Sequence, residues 1–313
     1  MKFDYPLLLE PISVPRPWGA GRVSEIYDGR KFATNSNIGE SWDVSTWPAD
    51  PGDANLITVN KILNGPFKGR LLDSITDVSV VVKILDTNDK LSVQIHPTEN
   101  GKTKDEMWYI LNAKEDAYLF LDVANGIDKG SYCDKSSNSN TSEEQVVSML
   151  KKYDNLKFGD YFNVPTGTIH AVGPNIVAFE VSEKCQITYR LYDYNRGRAL
   201  HAQEGKEAAI SIREEKPILD VSYDIDCDKI EYITKFPTFW VSELYGNDIA
   251  VNSVDHNHIL TAISGDIEIS GENENWNLTL KNSMSVLIPG AFSYNIKNQG
   301  NVCLITPILS EDN

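Results

Sequence analysis

Along most of the chain, apolar and polar side chains alternate in short runs, or β-branched residues cluster. VSVVVKIL, KLSVQIH, EMWYIL, AYLFLDV, YFNVP, NIVAFEVS and QITYRLYDY follow one another with turn-forming residues between them. Such a density of short strands predicts a mainly β chain built as a sandwich or barrel. Helices are few. SEEQVVSMLKKY (142–153) pairs Ser142 with Gln145 at capping-box spacing and sets Val146, Met149 and Leu150 on one face. The preceding SYCDKSSNSNT reads as a polar loop. AQEGKEAAISIR (202–213) is a second helix, weakened by Gly205.

From about residue 229 strands resume with KIEYIT, TFWVSELY, HILTAIS, DIEIS, NLTL, MSVLIP and VCLITP. The charged stretch before Pro217 marks a boundary, giving an N-terminal unit of residues 1–215 and a C-terminal unit of 216–313. The two units share a motif. NVPTGTIHAV (163–172) and LIPGAFSYNI (287–296) each carry an aliphatic residue, a proline, a turn, and a ring five positions after the proline: His170 in the first, Tyr294 in the second. This suggests two related barrels, of which only the first keeps a metal ligand.

Composition narrows the function classes. The 313 residues suffice for two packed units, and 41% hydrophobic with 24% charged residues argues against disorder. A net charge of -16 repels phosphate backbones and anionic membranes, so neither nucleic acid nor membrane is an expected partner, and an anionic substrate needs a local basic pocket. No apolar run reaches the length of a transmembrane span, and Asp4, Pro6 and Glu10 break up the start as a signal peptide, so a cytoplasmic location is expected. Cys133, Cys185, Cys227 and Cys303 form no CxxC pair and read as reduced structural thiols. No oligomeric state follows from the sequence.

Candidate chemistry concentrates in the first unit. In LSVQIHP a period of two sets Ser92, Gln94 and His96 against Leu91, Val93 and Ile95. Ten residues on, Glu106 heads EMWYIL, and FGDYFNVPTGTIH delivers His170. Two imidazoles, a carboxylate and an amide oxygen complete most of a zinc shell while leaving positions open. NIVAFEVS puts Ile176, Ala178, Glu180 and Ser182 opposite Val177, Phe179 and Val181. QITYRLY likewise groups Gln186, Thr188, Arg190 and Tyr192. Lys83 interrupts the apolar VVKILD and needs either a salt bridge or a substrate phosphate. The HxH of His256 and His258 has no acidic residue at the usual interval and reads as structural.

GDYFNVPTGTIH resembles the second motif of cupin barrels, with Pro174 where the cupin run has asparagine and Asn175 one place later. The likeness goes further. RPWG, IGESWDVST, VVKILD, LSVQIHP, DEMWYIL, VPTGTIHAV, TYRLYDYNR and ALHAQEG, in this order, resemble type I mannose-6-phosphate isomerases (phosphomannose isomerases) in their short bacterial form. That resemblance implies a bicupin of two jelly-roll-like barrels, with a few helices in and after the first and a metal-free second barrel. It implies one Zn2+ per chain, held by His96, Glu106, His170 and Gln94. Arg190 matches the family's active-site arginine and Glu180 a glutamate that assists proton transfer. Lys104, preferred over Lys102 because it is nearer Glu106, takes the position of the family lysine and competes with Glu180, or with a metal-bound water, for the proton-transfer role. Ser92, Lys83 and Trp18 are expected to line the substrate, with Trp42 close by. The implied reaction interconverts mannose 6-phosphate and fructose 6-phosphate through an enediol or enediolate. The alternatives are a sugar-binding bicupin without turnover and a metal-dependent cupin acting on another sugar phosphate.

Overall fold

The computed structural model of the chain describes residues 4–22, 37–48, 55–98, 101–185, 187–211, 217–218, 221–272, 276–290, 292–299 and 303–308. Two pairs of antiparallel sheets dominate it, so the expected mainly β, bicupin architecture is the observed one. In the first pair, a six-stranded sheet runs in the order Tyr161–Val164, Glu106–Ala113, Ile176–Glu183, Val80–Asp86, Ile38–Val44, Ile12–Pro15. It faces a five-stranded sheet of Leu150–Asp154, Tyr118–Val123, His170–Val172, Val93–Ile95 and Tyr189–Tyr192.

The second pair sets the six strands Leu7–Leu8, Ser285–Ile288, His258–Ala262, Cys303–Pro307, Trp240–Tyr245 and Lys229–Lys235 against five. Those five are Tyr223–Asp226, Asp248–Val254, Tyr294–Lys297, Ile267–Gly271 and Asn277–Leu280. The first strand of the chain therefore pairs far away in sequence, Leu7 opposite Leu287.

Strand periodicity explains how the barrels meet and where the cavity lies. Met107, Tyr109, Leu111, Val177, Phe179 and Val181 point out of the first barrel and pack with Phe239, Val241, Ile259, Leu287 and Leu304 of the second-barrel sheet. The alternate residues of the same strands, Glu106, Trp108, Glu180 and Ser182, line the cavity inside the first barrel. Each strand thus separates an apolar interface from a polar interior, which is why these runs look apolar with isolated charges. Truncating a fully buried side chain of the interface, such as Phe179, typically costs about 3–5 kcal/mol.

Three local expectations change. The helix of the capping box spans only Glu143–Ser148, with both reciprocal Ser142–Gln145 bonds in place. Leu150–Asp154 then leaves it as an edge strand on Tyr118–Val123, because pairing with that sheet outweighs helix propensity, and Lys151 and Lys152 remain exposed. The supposed polar loop is largely the helix Lys129–Ser136: Asp128 caps it by accepting from Ser131 N at 2.7 Å, and Tyr132 and Cys133 are buried under it. The helix Ala202–Ile210 does form. Its Gly205 is a packing requirement, since a Cβ there would lie 2.3 Å from Leu191 Cδ2. Part of the boundary near 213–220, and Gln186, lie outside the described residues. No described helix is long and apolar enough to cross a membrane.

Candidate active site

Two cross-strand rows build the site. On the five-stranded sheet His170 lies opposite Gln94, and Gln94 opposite Arg190. On the facing sheet Glu106 pairs with Ser182, Glu180 with Lys83, and Lys83 with Trp42. The turn Pro165–Thr168 fixes the approach to His170. Gly167 takes φ +85°, and its N–H donates to the His96 carbonyl at 2.9 Å, tying the segments of both histidines together. Asn175, one place late for the cupin pattern, adopts φ +63°, a conformation asparagine tolerates.

His96, Glu106 and His170 bring one ligand atom each within 4.8 Å of one another, and all three are buried. His96 Nδ1 donates to the Ile187 carbonyl and His170 Nδ1 to the Thr168 carbonyl, both at 2.9 Å. Each Nε2 lone pair is therefore turned toward the carboxylate, 3.2 Å from Glu106 Oε1 for His96 and 3.8 Å from Oε2 for His170. Burial, reinforced by His96, pushes the His170 pKa down to about 3, so that ring is a neutral ligand facing a carboxylate. Burial alone would raise the Glu106 carboxyl, but Lys104, His96 and His170 hold it well below its usual range. Neutral imidazoles and an ionised carboxylate are what a divalent cation binds, and the residues fit one.

Charges around this cluster are arranged in order. Lys104 Nζ donates to Glu106 Oε1 at 2.6 Å, whereas Lys102 is exposed. Farther along the wall, Lys83 Nζ is 3.3 Å from Glu180 Oε1 and 4.7 Å from the centre of the Trp42 ring. Oε1 has no aligned hydrogen bond among the described residues. Burial, with Glu106 and Glu40 adding to it, raises the Glu180 pKa despite Lys83. Glu40 behaves oppositely: Arg16 grips it through Nε and Nη2 at 3.0 and 2.9 Å, and Trp42 Nε1 donates at 2.7 Å. Burial works against its ionisation, yet Arg16 and Lys83 bring its pKa to about 2. At the other side Arg190 Nη1 donates to Ala199 O at 3.0 Å, while its Nε is buried with no partner among the described residues. Burial and neighbouring Arg198 both lower the Arg190 pKa. Arg198 is itself held by Asp193.

No family model matches the chain. It is similar to the Bacillus subtilis protein named "Probable mannose-6-phosphate isomerase GmuF", 31% identical over 65% of this chain and 68% of that one. A Streptococcus mutans mannose-6-phosphate isomerase is 29% identical over 69% of this chain and 68% of its own. Among solved structures, a Bacillus subtilis mannose 6-phosphate isomerase superposes with TM-score 0.77 at 22% identity, covering 97% of this chain and 100% of that one. The chain belongs to the mannose-6-phosphate isomerase family. It is an enzyme of that family and carries a His-Glu-His cluster able to hold a metal ion.

For this isomerase-family chain the predicted residues converge on one cavity of about 590 Å³, lined by Trp18, Lys83, Ser92, Gln94, Lys104, Glu106, His170, Glu180 and Arg190 among others. His96 stands behind that wall as the partner of Glu106. Gln94 turns its amide nitrogen toward His170 Nε2 at 3.3 Å, and its oxygen accepts from Ser92 at 3.2 Å. The polar face expected for QITYRLY is interrupted. A bulge between Arg190 and Tyr192 sends Tyr192 to the opposite side, into the cluster with Leu191 under the helices. Sequence reasoning gave no role to Arg16, Glu40, Glu183 or Arg198, which also line the cavity. RPWG and IGESW were visible, but nothing local showed that their strands are neighbours. In the second barrel the HxH is no ligand pair: His258 is buried, and its Nε2 meets the Tyr294 hydroxyl at 2.8 Å. Among the described residues only His96, Glu106 and His170 form a metal-capable cluster.

Proposed function

We propose that the chain interconverts D-mannose 6-phosphate and D-fructose 6-phosphate through an enediol or enediolate, with one Zn2+ held by His96, Glu106 and His170. Gln94 is the fourth candidate ligand, once its amide turns to offer oxygen in place of nitrogen. The observation that carries the reading is the buried cluster set in a cavity with five cationic side chains, Arg16, Lys83, Lys104, Arg190 and Arg198, in a chain of net charge -16. When bound, the metal supplies Lewis-acid stabilisation of negative charge on the sugar oxygens.

The chain's own side chains divide the rest of the work. Glu180 accepts the proton from C2 of the aldose and returns it to C1. Because these carbons are adjacent, one carboxylate serves both transfers while the hydroxyl proton moves between O2 and O1. Its raised pKa makes it a better proton acceptor than an ordinary glutamate, and Lys83 keeps it ionised enough to act. Lys104, already a donor to Glu106, is suited to donating toward a substrate oxygen. Arg190, with an unused buried donor, and Arg198 beside it seat the phosphate, the planar guanidinium matching its oxygens. Trp18 and Ser92 line the sugar.

The same reading keeps residues 1–215 as the catalytic unit and 216–313 as a metal-free companion. It sets the enzyme in the cytoplasm, in keeping with the unpaired thiols of Cys133, Cys185 and Cys227. A coupled isomerase assay with mannose 6-phosphate and with mannose, alongside metal analysis, tests it. Turnover of the phosphate ester with about one zinc per chain is expected. A metal-loaded protein inert toward mannose 6-phosphate would sink the assignment.

A further inference from the structure

The second barrel contributes no side chain to the metal cluster, yet one of its turns reaches the segment that carries two of the site's charges. The hairpin joining Lys229–Lys235 to Trp240–Tyr245 is closed by Phe236 N donating to Phe239 O at 2.9 Å, and its tip holds Thr238. Thr238 Oγ1 donates to Glu183 Oε1 at 2.6 Å, and Glu183 Oε2 accepts from Asp105 N at 2.8 Å. Glu183 N in turn donates to Asp105 O at 3.0 Å, so the two residues clasp each other.

Asp105 passes the constraint on. Its Oδ1 accepts from Thr166 N at 2.9 Å and from Thr166 Oγ1 at 3.1 Å, and that same hydroxyl accepts from Lys104 N at 2.7 Å. Thr166 belongs to the turn whose Gly167 holds the His96 carbonyl and whose end is His170. Asp105 and Glu183 are buried, so the bonds of Asp105 to Glu183 and Thr166 are shielded from water. Asp105 is the residue between Lys104 and Glu106. Any slackness in its backbone moves both side chains relative to the two histidines.

We infer that Thr238, Glu183 and Asp105 are positioning residues: through them the second barrel fixes Lys104 and Glu106 against His96 and His170. The inference rests on the proposed metal centre, but its decisive measurement does not require turnover. An outer partner of a metal ligand typically contributes 10- to 100-fold in affinity or activity. Thr238→Val keeps the shape and removes the hydroxyl, while Thr238→Ser keeps the hydroxyl.

The full chain is stripped of metal, and zinc affinity is measured by competition with a chromogenic chelator for the wild type and both variants. Thermal unfolding of the metal-free proteins is followed in parallel, and the metal-loaded proteins are assayed. We expect Thr238→Val to bind zinc about tenfold more weakly and to lose kcat by a similar factor at unchanged KM. Thr238→Ser should restore both, and the metal-free valine variant should still unfold cooperatively. Wild-type zinc affinity in Thr238→Val overturns the inference, as does a serine variant as weak as the valine one, which would assign the effect to packing. If the wild type does not turn over mannose 6-phosphate, the reaction fails, while the chelator measurement still decides the positioning role.

Discussion

Replacing Arg190 by lysine isolates geometry from charge at the proposed phosphate seat. Arg190 Nη1 is committed to the Ala199 carbonyl at 3.0 Å, and its buried Nε has no partner among the described residues. Burying an unused donor on a charged group is unfavourable unless something comes to accept from it. A lysine ammonium has a positive charge but no planar array, so it cannot hold Ala199 and present the same in-plane donors to a ligand. At least one charge-assisted hydrogen bond is lost, about 1.5–3 kcal/mol, or roughly 10- to 100-fold. We expect kcat/KM for mannose 6-phosphate to fall by about that factor in Arg190→Lys at unchanged metal content. Inorganic phosphate, as a competitive inhibitor of the wild type, should weaken in parallel. If phosphate inhibits the variant as strongly as it inhibits the wild type, Arg190 does not seat the phosphate and the reasoning fails.

His170→Ala should abolish stoichiometric metal binding, because it removes one of the three ligand atoms gathered within 4.8 Å; atomic absorption on the purified variant checks this. Glu180→Gln should retain the metal and lose turnover and solvent-deuterium incorporation at the sugar carbons, since an amide cannot accept the proton. The wild-type rate should fall on the acid side through a pKa above that of an ordinary glutamate. Lys83→Met, which removes the counter-charge, should move that acid limb to still higher pH, as read from kcat/KM profiles. Glu40 has its pKa depressed from 4.5 to about 2, so its contribution of about 3 kcal/mol is complete above 4.5 and is lost as pH falls toward 2. The stability gap between the wild type and Glu40→Gln, measured by denaturant unfolding, should therefore close over that acid range.

Much of this site was legible because strand parity is a strict rule. Glu106 and Trp108 on one strand, and Ala178, Glu180 and Ser182 on another, share a face in sequence and in space, and their neighbours Met107, Tyr109, Val177 and Phe179 fill the interface with the second barrel. Parity fails at Tyr192 because a bulge inserts a residue and reverses the alternation, and no local pattern marks the bulge. Arg16 and Glu40 were illegible for a different reason. Their contact depends on Ile12–Pro15 pairing with Ile38–Val44, a long-range choice that neither segment encodes alone. The helix Lys129–Ser136 was hidden by its polar surface, although Asp128 at its cap was a usable signal.

The shared motif of the two barrels shows why similar sequence need not keep similar chemistry. His170 Nδ1 is tied to a backbone carbonyl, which turns Nε2 toward Glu106 and the Gln94 amide inside a cavity. Tyr294, in the corresponding place, spends its hydroxyl on His258 Nε2, whose Nδ1 donates to the His256 carbonyl. Burial brings the His258 pKa to about 4, so the ring is neutral and accepts from the tyrosine. Each polar atom of that pair is satisfied within the core, with Leu260, Val286 and Ile296 packed in the same barrel. An acceptor held by a short bond to a donor that the core locks in place offers nothing to a metal. In the first barrel the outer bonds fall on Nδ1 of both histidines. The donors that meet their inward-facing Nε2 atoms, the Gln94 amide at 3.3 Å and the Lys104 ammonium at 3.4 Å, are more distant than the Tyr294 hydroxyl at 2.8 Å and belong to flexible side chains that line the cavity and can turn aside for a metal.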